Sequence, residues 1–151
     1  MAFTRRGVLV AGYAGGATFV GGTLLWPRGA HADDEIAEFV RQQCGQTAIE
    51  SDRIHLVMPA VFPTGYTVPL SLDIESPMTE ADHVKTIRVF APQNPIVEVA
   101  GFQFRPLRGL ARVSTRIRLA KPQFVVVVAD MSDGALQMAK TWVNVATNGC
   151  T

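Results

Sequence analysis

Short runs rich in β-branched and aromatic residues alternate with turn-forming residues along most of the chain, beginning at position 54. Proline, glycine and asparagine fill the connections between these runs, for example in Phe62-Pro63-Thr64-Gly65 and Ser132-Asp133-Gly134. Regularly spaced short strands with turn residues between them are typical of a β-sandwich. The pattern therefore predicts an all-β fold of about seven strands, over residues 54–58, 68–74, 84–90, 97–104, 110–119, 124–130 and 140–146.

Two of the predicted strands differ in the arrangement of their apolar residues. Residues 124–128 read Phe-Val-Val-Val-Val, which is apolar on both faces and predicts a central strand with both sides buried. Residues 110–119 alternate instead, so that three arginines and a serine share one face and mostly apolar residues share the other. One face of this second strand is expected to meet water or a partner.

A helical periodicity precedes the strands. Within residues 33–43, Ile36, Phe39 and Val40 recur at helical spacing, with acids at the start of the segment and Arg41 near its end. This arrangement of charge suits the dipole of a helix, with negative residues near its N-terminus and a positive residue near its C-terminus. The sequence therefore predicts a short amphipathic helix before the sandwich.

The first 32 residues have the features of a twin-arginine signal peptide. Thr4-Arg5-Arg6-Gly7-Val8-Leu9 contains the paired arginines, an apolar stretch follows, and Ala30-His31-Ala32 is a small-x-small cleavage motif. A transmembrane anchor is the competing interpretation, because residues 8–25 carry no charge and are just long enough to span a bilayer. Five glycines in that stretch weaken its hydrophobicity and favour a removable signal. We therefore expect export to the periplasm, with a domain at 33–146 and a tail at 147–151.

The charge balance gives no reason to expect a nucleic-acid partner. The whole chain has 14 Lys and Arg residues and 13 acids. Cleavage after Ala32 would remove Arg5, Arg6 and Arg28 but no acid, which leaves 11 basic and 13 acidic residues. Proteins that bind nucleic acid usually carry a basic excess, which this mature chain would lack.

The sequence lacks the motifs of familiar enzymes and metal sites. It contains no Gly-x-Ser-x-Gly, His-Glu-x-x-His or Cys-x-x-Cys, and neither His55 nor His83 stands at metal-ligand spacing from a cysteine. Glu80 and Asp82 follow a Ser-Pro turn and suit a solvated loop. We therefore predict no catalytic residue and no metal ligand among these side chains.

Arginines are concentrated in the second half of the chain, at Arg105, Arg108, Arg112, Arg116 and Arg118. Such a group would attract an anion or the acidic surface of a partner. A charged sheet edge that prevents aggregation explains these residues as well.

Cys150 stands in a tail of small residues, where chain ends are usually exposed. A thiol in such a place suggests chemistry performed on the protein rather than a part in a core. Two cysteines in an exported protein also suggest one disulfide. A Cys44–Cys150 bridge would close a loop of about a hundred residues, worth roughly 4 to 5 kcal/mol in the chain-entropy model. The residues alone leave both interpretations open.

The part of the chain from Val68 to Cys150 resembles the SoxY family of thiosulfate-oxidation carrier proteins. The shared segments keep the family's order and approximate spacing, and a twin-arginine signal agrees with the resemblance. These segments are Val68-Pro69, Ser76-Pro77-Met78-Thr79-Glu80-Ala81-Asp82, Asn94-Pro95, Thr115-Arg116-Ile117-Arg118-Leu119-Ala120, Ser132-Asp133-Gly134, Val143-Asn144-Val145 and Gly149-Cys150.

This resemblance implies a carrier subunit with an immunoglobulin-like sandwich that forms a heterodimer with a SoxZ-like subunit. Sulfur would be attached covalently to Cys150, with Asn148, Gly149 and Thr151 as the carrier tail. A c-type cytochrome would join thiosulfate to the cysteine, a thiosulfohydrolase would release sulfate, and a sulfur dehydrogenase would oxidise the remaining sulfane. The carrier itself would perform no turnover, so the resemblance implies a protein that is not an enzyme and has no cofactor.

The tail departs from the family pattern Gly-Gly-Cys-Gly-Gly. Asn148 stands for the first glycine, Thr151 replaces the glycine after the cysteine, and the last glycine is missing. Asparagine and threonine allow fewer backbone conformations than glycine. One alternative is therefore a divergent paralogue that carries another sulfur species or serves another periplasmic dehydrogenase system. The other is an immunoglobulin-like binding module held by a Cys44–Cys150 disulfide.

Overall fold

A computed structural model of the protein describes residues 28–148. The predicted signal sequence before position 28, together with Gly149, Cys150 and Thr151, lies outside the described residues. The described part contains one helix and nine strands, which are α1 (Arg28–Cys44), β1 (Ile49–Glu50), β2 (Ile54–Val57), β3 (Val61–Phe62), β4 (Val68–Ile74), β5 (Val84–Phe90), β6 (Glu98–Gln103), β7 (Ala111–Ile117), β8 (Gln123–Met131) and β9 (Leu136–Val145).

The strands form two sheets that pack face to face. The larger sheet has the order β1-β9-β8-β5-β6, with the short β3 also paired to β9, and the smaller sheet has the order β2-β4-β7. β1 and β3 run parallel to β9, whereas the other pairs are antiparallel. All seven predicted strands are present, so the all-β sandwich is confirmed. β1 and β3 were not predicted, because two residues carry no periodicity.

β8 is buried on both faces, as its sequence predicts. Val125 and Val127 point into the core between the two sheets, where no part of either side chain is exposed. Val126 and Val128 point the other way and pack in a second apolar cluster beneath the helix. The helix is therefore the reason that this strand is apolar throughout.

α1 covers the outer face of the larger sheet. Ile36 and Val40 are buried in the second cluster, and the rings of Phe39 and Phe90 meet edge to face with their centroids 5.8 Å apart. The helix ends at Cys44, where the N–H of Gly45, at a φ of 78°, donates to the carbonyl of Arg41. It begins at Arg28, five residues before the predicted start. No helix among residues 28–148 is long and apolar enough to cross a membrane.

β7 shows the predicted alternation at the edge of the smaller sheet. Arg112, Ser114 and Arg116 are exposed on its outer face, whereas Ala111 and Ile117 are buried against the core. β7 pairs only with β4 among the described strands, so its other edge is open. The arginines therefore lie on an exposed edge strand, which fits a role in preventing edge-to-edge aggregation.

Candidate functional site

The base of the predicted carrier tail is fixed to the sandwich by backbone hydrogen bonds. β3 runs parallel to the end of β9, and the N–H of Ala146 donates to the carbonyl of Phe62 over 3.1 Å. The N–H of Gly65 then donates to the carbonyl of Thr147 over 2.7 Å, and the Thr147 hydroxyl donates to the carbonyl of Pro63 over 3.2 Å. The chain is thus held as far as Thr147.

The residues predicted to carry the chemistry lie at or beyond the end of the described part. Asn148 is exposed and is the last described residue. Gly149, Cys150 and Thr151 lie outside the described residues, so the structure gives no geometry for the thiol. Chain length limits its position, because three residues span at most about 10 to 11 Å. The sulfur therefore stays near the end of the sandwich where Thr147 is anchored.

We call this end of the sandwich the tail end, and it comprises the loops 63–67, 91–97 and 118–122 and the residues 146–148. The strand pairing brings these segments together, because β3, β5, β7 and β9 all finish at this end and β4, β6 and β8 begin there. Gly65 connects two of the segments, since its N–H binds Thr147 and its carbonyl accepts from the N–H of Leu119 over 2.8 Å.

A buried polar network fixes loop 118–122 beside the tail. Gln123 is 1% exposed, and its side-chain NH₂ donates to Asn94 Oδ1 over 2.9 Å and to the Lys121 carbonyl over 3.1 Å. Asn94 in turn accepts from the N–H of Ala120 and donates to the carbonyl of Arg118, both over 2.8 Å. Sequence reasoning missed this network. A glutamine directly before an apolar strand was the available signal.

Salt bridges divide the basic residues of the chain into two groups. Six of the 11 that follow position 32 lie within salt-bridge distance of an acid, for example Arg112 beside Asp73 on the neighbouring strand. Five have no such partner among residues 28–148. Two of these, Arg105 and Arg108, are in the loop 104–110 at the opposite end of the sandwich. Arg118 and Lys121 are in the tail end, and Arg116 lies beside it near the end of β7.

Cys44 is a free thiol at the end of α1. It lines a small cavity with Gly134 and Leu136, and Arg88 Nη1 approaches its sulfur at 3.5 Å. Burial raises the pKa of the Cys44 thiol; the Arg88 guanidinium opposes this rise and Glu98 adds to it. Cys44 is therefore held in its protonated, weakly nucleophilic form.

The predicted Cys44–Cys150 disulfide does not fit this placement. Cys44 lies beside Leu136, at the start of β9, whereas the tail leaves from the end of that strand. Nine residue steps along β9 span roughly 30 Å. Three residues beyond Thr147 and the Cα separation of a disulfide together cover at most about 18 Å. A bridge between the two cysteines would therefore require part of β9 to leave the sheet.

His55, His83 and Asp82, for which the sequence shows no catalytic or metal-binding motif, have local partners. His55 lies 2.7 Å from Glu75, and the His83 ring lies 2.9 Å from the carbonyl of Thr79. Asp82 pairs with Arg53 at 3.6 Å. Among residues 28–148 no group of three or more His, Cys, Asp or Glu side chains is arranged to hold a metal ion.

Comparison with known families identifies the chain. The family described as sulfur oxidation protein SoxY matches residues 40–150, which include the C-terminal end of α1, the whole sandwich and Cys150. The chain belongs to the SoxY family. The sulfur carrier protein SoxY from Chlorobium limicola f thiosulfatophilum has a similar structure, with 29% identity and a TM-score of 0.60, over 76% of this chain and 98% of that protein. The family resemblance predicted from the sequence is thus confirmed, and this is a family of sulfur-oxidation carriers.

Other solved structures share the fold alone. A superoxide reductase (neelaredoxin) from Ignicoccus hospitalis is 15% identical, with a TM-score of 0.56, over 65% of this chain and 94% of that one. A putative superoxide reductase from Thermotoga maritima is 16% identical, with a TM-score of 0.55, over 65% of this chain and 93% of that one. None of the curated proteins matches the chain.

Proposed function

We propose that this protein is the periplasmic sulfur carrier subunit of a thiosulfate-oxidising system and that Cys150 is its covalent attachment site. Membership of the SoxY family carries the proposal, because the matched range extends to Cys150. The anchored tail base supports it as well. A residue just beyond Thr147 projects from a rigid sandwich edge, which suits a thiol that has to enter the sites of other proteins.

Loading requires an oxidation. The Cys150 thiolate and the sulfane sulfur of thiosulfate form a new sulfur–sulfur bond, giving Cys–S–S–SO₃⁻ and releasing two electrons. A c-type cytochrome in the same compartment accepts the electrons. The thiol must first lose its proton, so the loading rate depends on the thiolate fraction, on nucleophilicity and on access.

Unloading restores the thiol in steps that other enzymes perform. A thiosulfohydrolase adds water to the terminal sulfone, which releases sulfate and two protons and leaves the sulfane Cys–S–S⁻. A sulfur dehydrogenase then oxidises the outer sulfur with water to a sulfonate and passes the electrons to a c-type cytochrome. A second hydrolysis releases sulfate and restores the Cys150 thiol. The carrier contributes a positioned thiol and a docking surface, so it needs no cofactor and performs no turnover of its own. A SoxZ-like subunit completes the carrier as a heterodimer, and the twin-arginine signal brings the chain to the periplasm.

Cys44 is not the attachment site in this proposal. Its sulfur is partly buried beneath the sheet edge beside Arg88, and burial raises the pKa of its thiol. A thiol of this kind forms little thiolate at neutral pH and offers little access to a second protein. Thr147 and Asn148, the last described residues before Cys150, are both exposed, which supports the choice of Cys150.

The two alternatives differ in how well the structure accommodates them. A paralogue with another sulfur cargo would use the same tail, and the altered residues Asn148 and Thr151 are the reason to keep this candidate. The disulfide-stapled binding module is disfavoured by the roughly 30 Å that separates the neighbourhood of Cys44 from the end of β9. Carriage of thiosulfate-derived sulfur remains the function with the most support.

Complementation in a host strain that lacks the chain tests the proposal. Wild-type protein and the Cys44→Ala variant are expected to restore thiosulfate-dependent electron transfer to cytochrome c, whereas Cys150→Ser is expected to abolish it. Equal export and abundance of the three proteins is the control. Full activity of the Cys150→Ser variant would refute the assignment of the attachment site.

A further inference from the structure

The two ends of the sandwich carry opposite charge. The tail end, as defined above, contains no aspartate or glutamate in its loops or in residues 146–148, and it contains Arg118 and Lys121. Arg116 adds a third cation beside the tail end, one residue before the end of β7. Glu98, the first residue of β6, borders the same end, but it is paired with Arg88. The loops 75–83, 104–110 and 132–135 at the opposite end contain four acids, which are Glu75, Glu80, Asp82 and Asp133, and two cations, which are Arg105 and Arg108.

The three cations at the tail end have no ion pair among residues 28–148, and all three side chains are exposed. Arg112, on the same strand as Arg116, is paired by contrast, because its guanidinium binds the carboxylate of Asp73 on the neighbouring strand. The absence of acids from the tail end thus leaves its positive charge uncompensated. Such a surface attracts anions.

The hydrogen bonds of Gly65 place this charge beside the tail. Gly65 binds Leu119 over 2.8 Å and Thr147 over 2.7 Å, so the Leu119 nitrogen and the Thr147 oxygen lie within about 9 Å of each other. Arg118 is the residue next to Leu119, and its carbonyl is held by Asn94. Three residues of tail reach at most about 10 to 11 Å from Thr147. The tail is therefore long enough to bring a group carried on Cys150 within range of a long arginine side chain.

We propose that Arg116, Arg118 and Lys121 form an anion-attracting surface that draws anionic sulfur reagents to Cys150 and holds the anionic adduct formed there. This proposal rests on the proposed function, because it takes Cys150 as the attachment site. The proposal assigns the three unpaired cations a specific role beside Cys150, rather than a general contribution to solubility.

Two consequences follow for the chemistry of the tail. Nearby positive charge stabilises a thiolate relative to a thiol, so removal of the three cations should slow the reaction of Cys150 with any disulfide reagent. The same charge raises the local concentration of a dianion such as thiosulfate or tetrathionate, and this effect weakens as salt is added. A neutral reagent would experience the first effect and not the second.

The reaction with tetrathionate tests the proposal without any partner enzyme. A Cys150 thiolate displaces thiosulfate from tetrathionate and becomes Cys–S–S–SO₃⁻, so atoms and charge balance with no added oxidant. The mature protein is isolated from its host with any bound partner retained, in a Cys44→Ala background. The test variant carries Arg116→Gln, Arg118→Gln and Lys121→Gln. The matched control carries Arg105→Gln and Arg108→Gln, which are also without ion pairs but lie at the opposite end.

We expect the test variant to react with tetrathionate about fivefold to tenfold more slowly than wild type at an ionic strength of about 10 mM. The difference should nearly vanish at about 1 M salt, where the Debye length is about 3 Å. With neutral 4,4′-dithiodipyridine the variant should slow less than with tetrathionate. The control variant should match wild type with both reagents, and unchanged thermal unfolding confirms that each variant is folded.

Three outcomes would overturn the proposal. Equal slowing in the control variant would show a general effect of net charge, and unchanged tetrathionate kinetics in the test variant would show no effect at all. Slowed loading by the cytochrome enzyme with unchanged tetrathionate kinetics would mean that the cations bind an acidic partner protein instead. Slowed tetrathionate kinetics without any adduct in the host would refute the proposed function while the anion surface itself stands.

Discussion

Gln123 holds the tail-end loops together, and its replacement by glutamate tests how far they depend on it. The substitution hardly changes the size of the side chain but turns its two donated hydrogen bonds into contacts between oxygens. The Gln123 nitrogen that would become an oxygen lies 2.9 Å from Asn94 Oδ1 and 3.1 Å from the Lys121 carbonyl oxygen. Gln123 is 1% exposed, so water does not relieve the loss. The oxygen that accepts from the N–H of Gln93 keeps its partner.

The magnitude follows from these contacts. The two lost hydrogen bonds contribute roughly 1 kcal/mol each, and a buried carboxylate without a cation adds a desolvation cost. Gln123→Glu should therefore lower the free energy of unfolding by about 3 to 5 kcal/mol near neutral pH. Burial beside two acceptors raises the pKa of the new carboxyl above its value of about 4.3 in the unfolded chain. The destabilisation is therefore present above the raised pKa and fades as the pH falls through it, because the protonated group regains one donor.

Urea unfolding of the mature protein at about pH 7.5 and about pH 4.5 measures both effects. Gln93→Glu is the matched control, since it adds the same charge to an exposed neighbouring side chain and should change the free energy of unfolding by less than about 0.5 kcal/mol. A loss below about 1 kcal/mol for Gln123→Glu at the higher pH, or the same loss at both pH values, would refute the role assigned to the network.

Two further predictions concern α1 and its cysteine. Val40→Ala should lower the free energy of unfolding, measured in urea, by about 2 to 3 kcal/mol, because two buried methyl groups are lost beneath the helix. Val57→Ala, at an exposed position, is the control and should have little effect. Equal effects of the two substitutions would contradict the packing described. Cys44 should be alkylated by iodoacetamide more slowly than an unhindered thiol at about pH 8, and its rate should keep rising to higher pH, because burial raises its pKa. An ordinary rate and pH profile would contradict this placement.

The sequence predicted the strands well because each of the seven longer ones carries its own periodicity. β7 alternates and is half exposed, and β8 is apolar throughout and is buried on both faces. Its second apolar face finds its partner in α1, which the sequence predicted as a separate amphipathic helix. These predictions succeed because the information is local. β1 and β3 were missed since each is formed only by pairing with β9.

The charge pattern at the tail end could not be predicted in the same way. The arginines from 105 to 118 form one group along the sequence, but the fold separates them. Arg112 is neutralised by Asp73, 39 residues away, and the loop 104–110 lies at the opposite end of the sandwich from Arg118. The acid-free end is assembled from three loops and the tail base that only the strand order brings together. The sequence shows the charge of each loop, but it does not show that these loops lie side by side in the fold.

The central claim is that Cys150 carries oxidised sulfur, and the mass of the mature protein tests it most directly. The protein is isolated from its host after growth with and without thiosulfate, kept unreduced, weighed intact and then mapped by peptide fragmentation. We predict an added S₂O₃ group or a single added sulfur on Cys150 after growth with thiosulfate, which is absent from the Cys150→Ala variant, and an unmodified Cys44. An unmodified Cys150 under both conditions, or a disulfide between Cys150 and Cys44, would contradict the assignment.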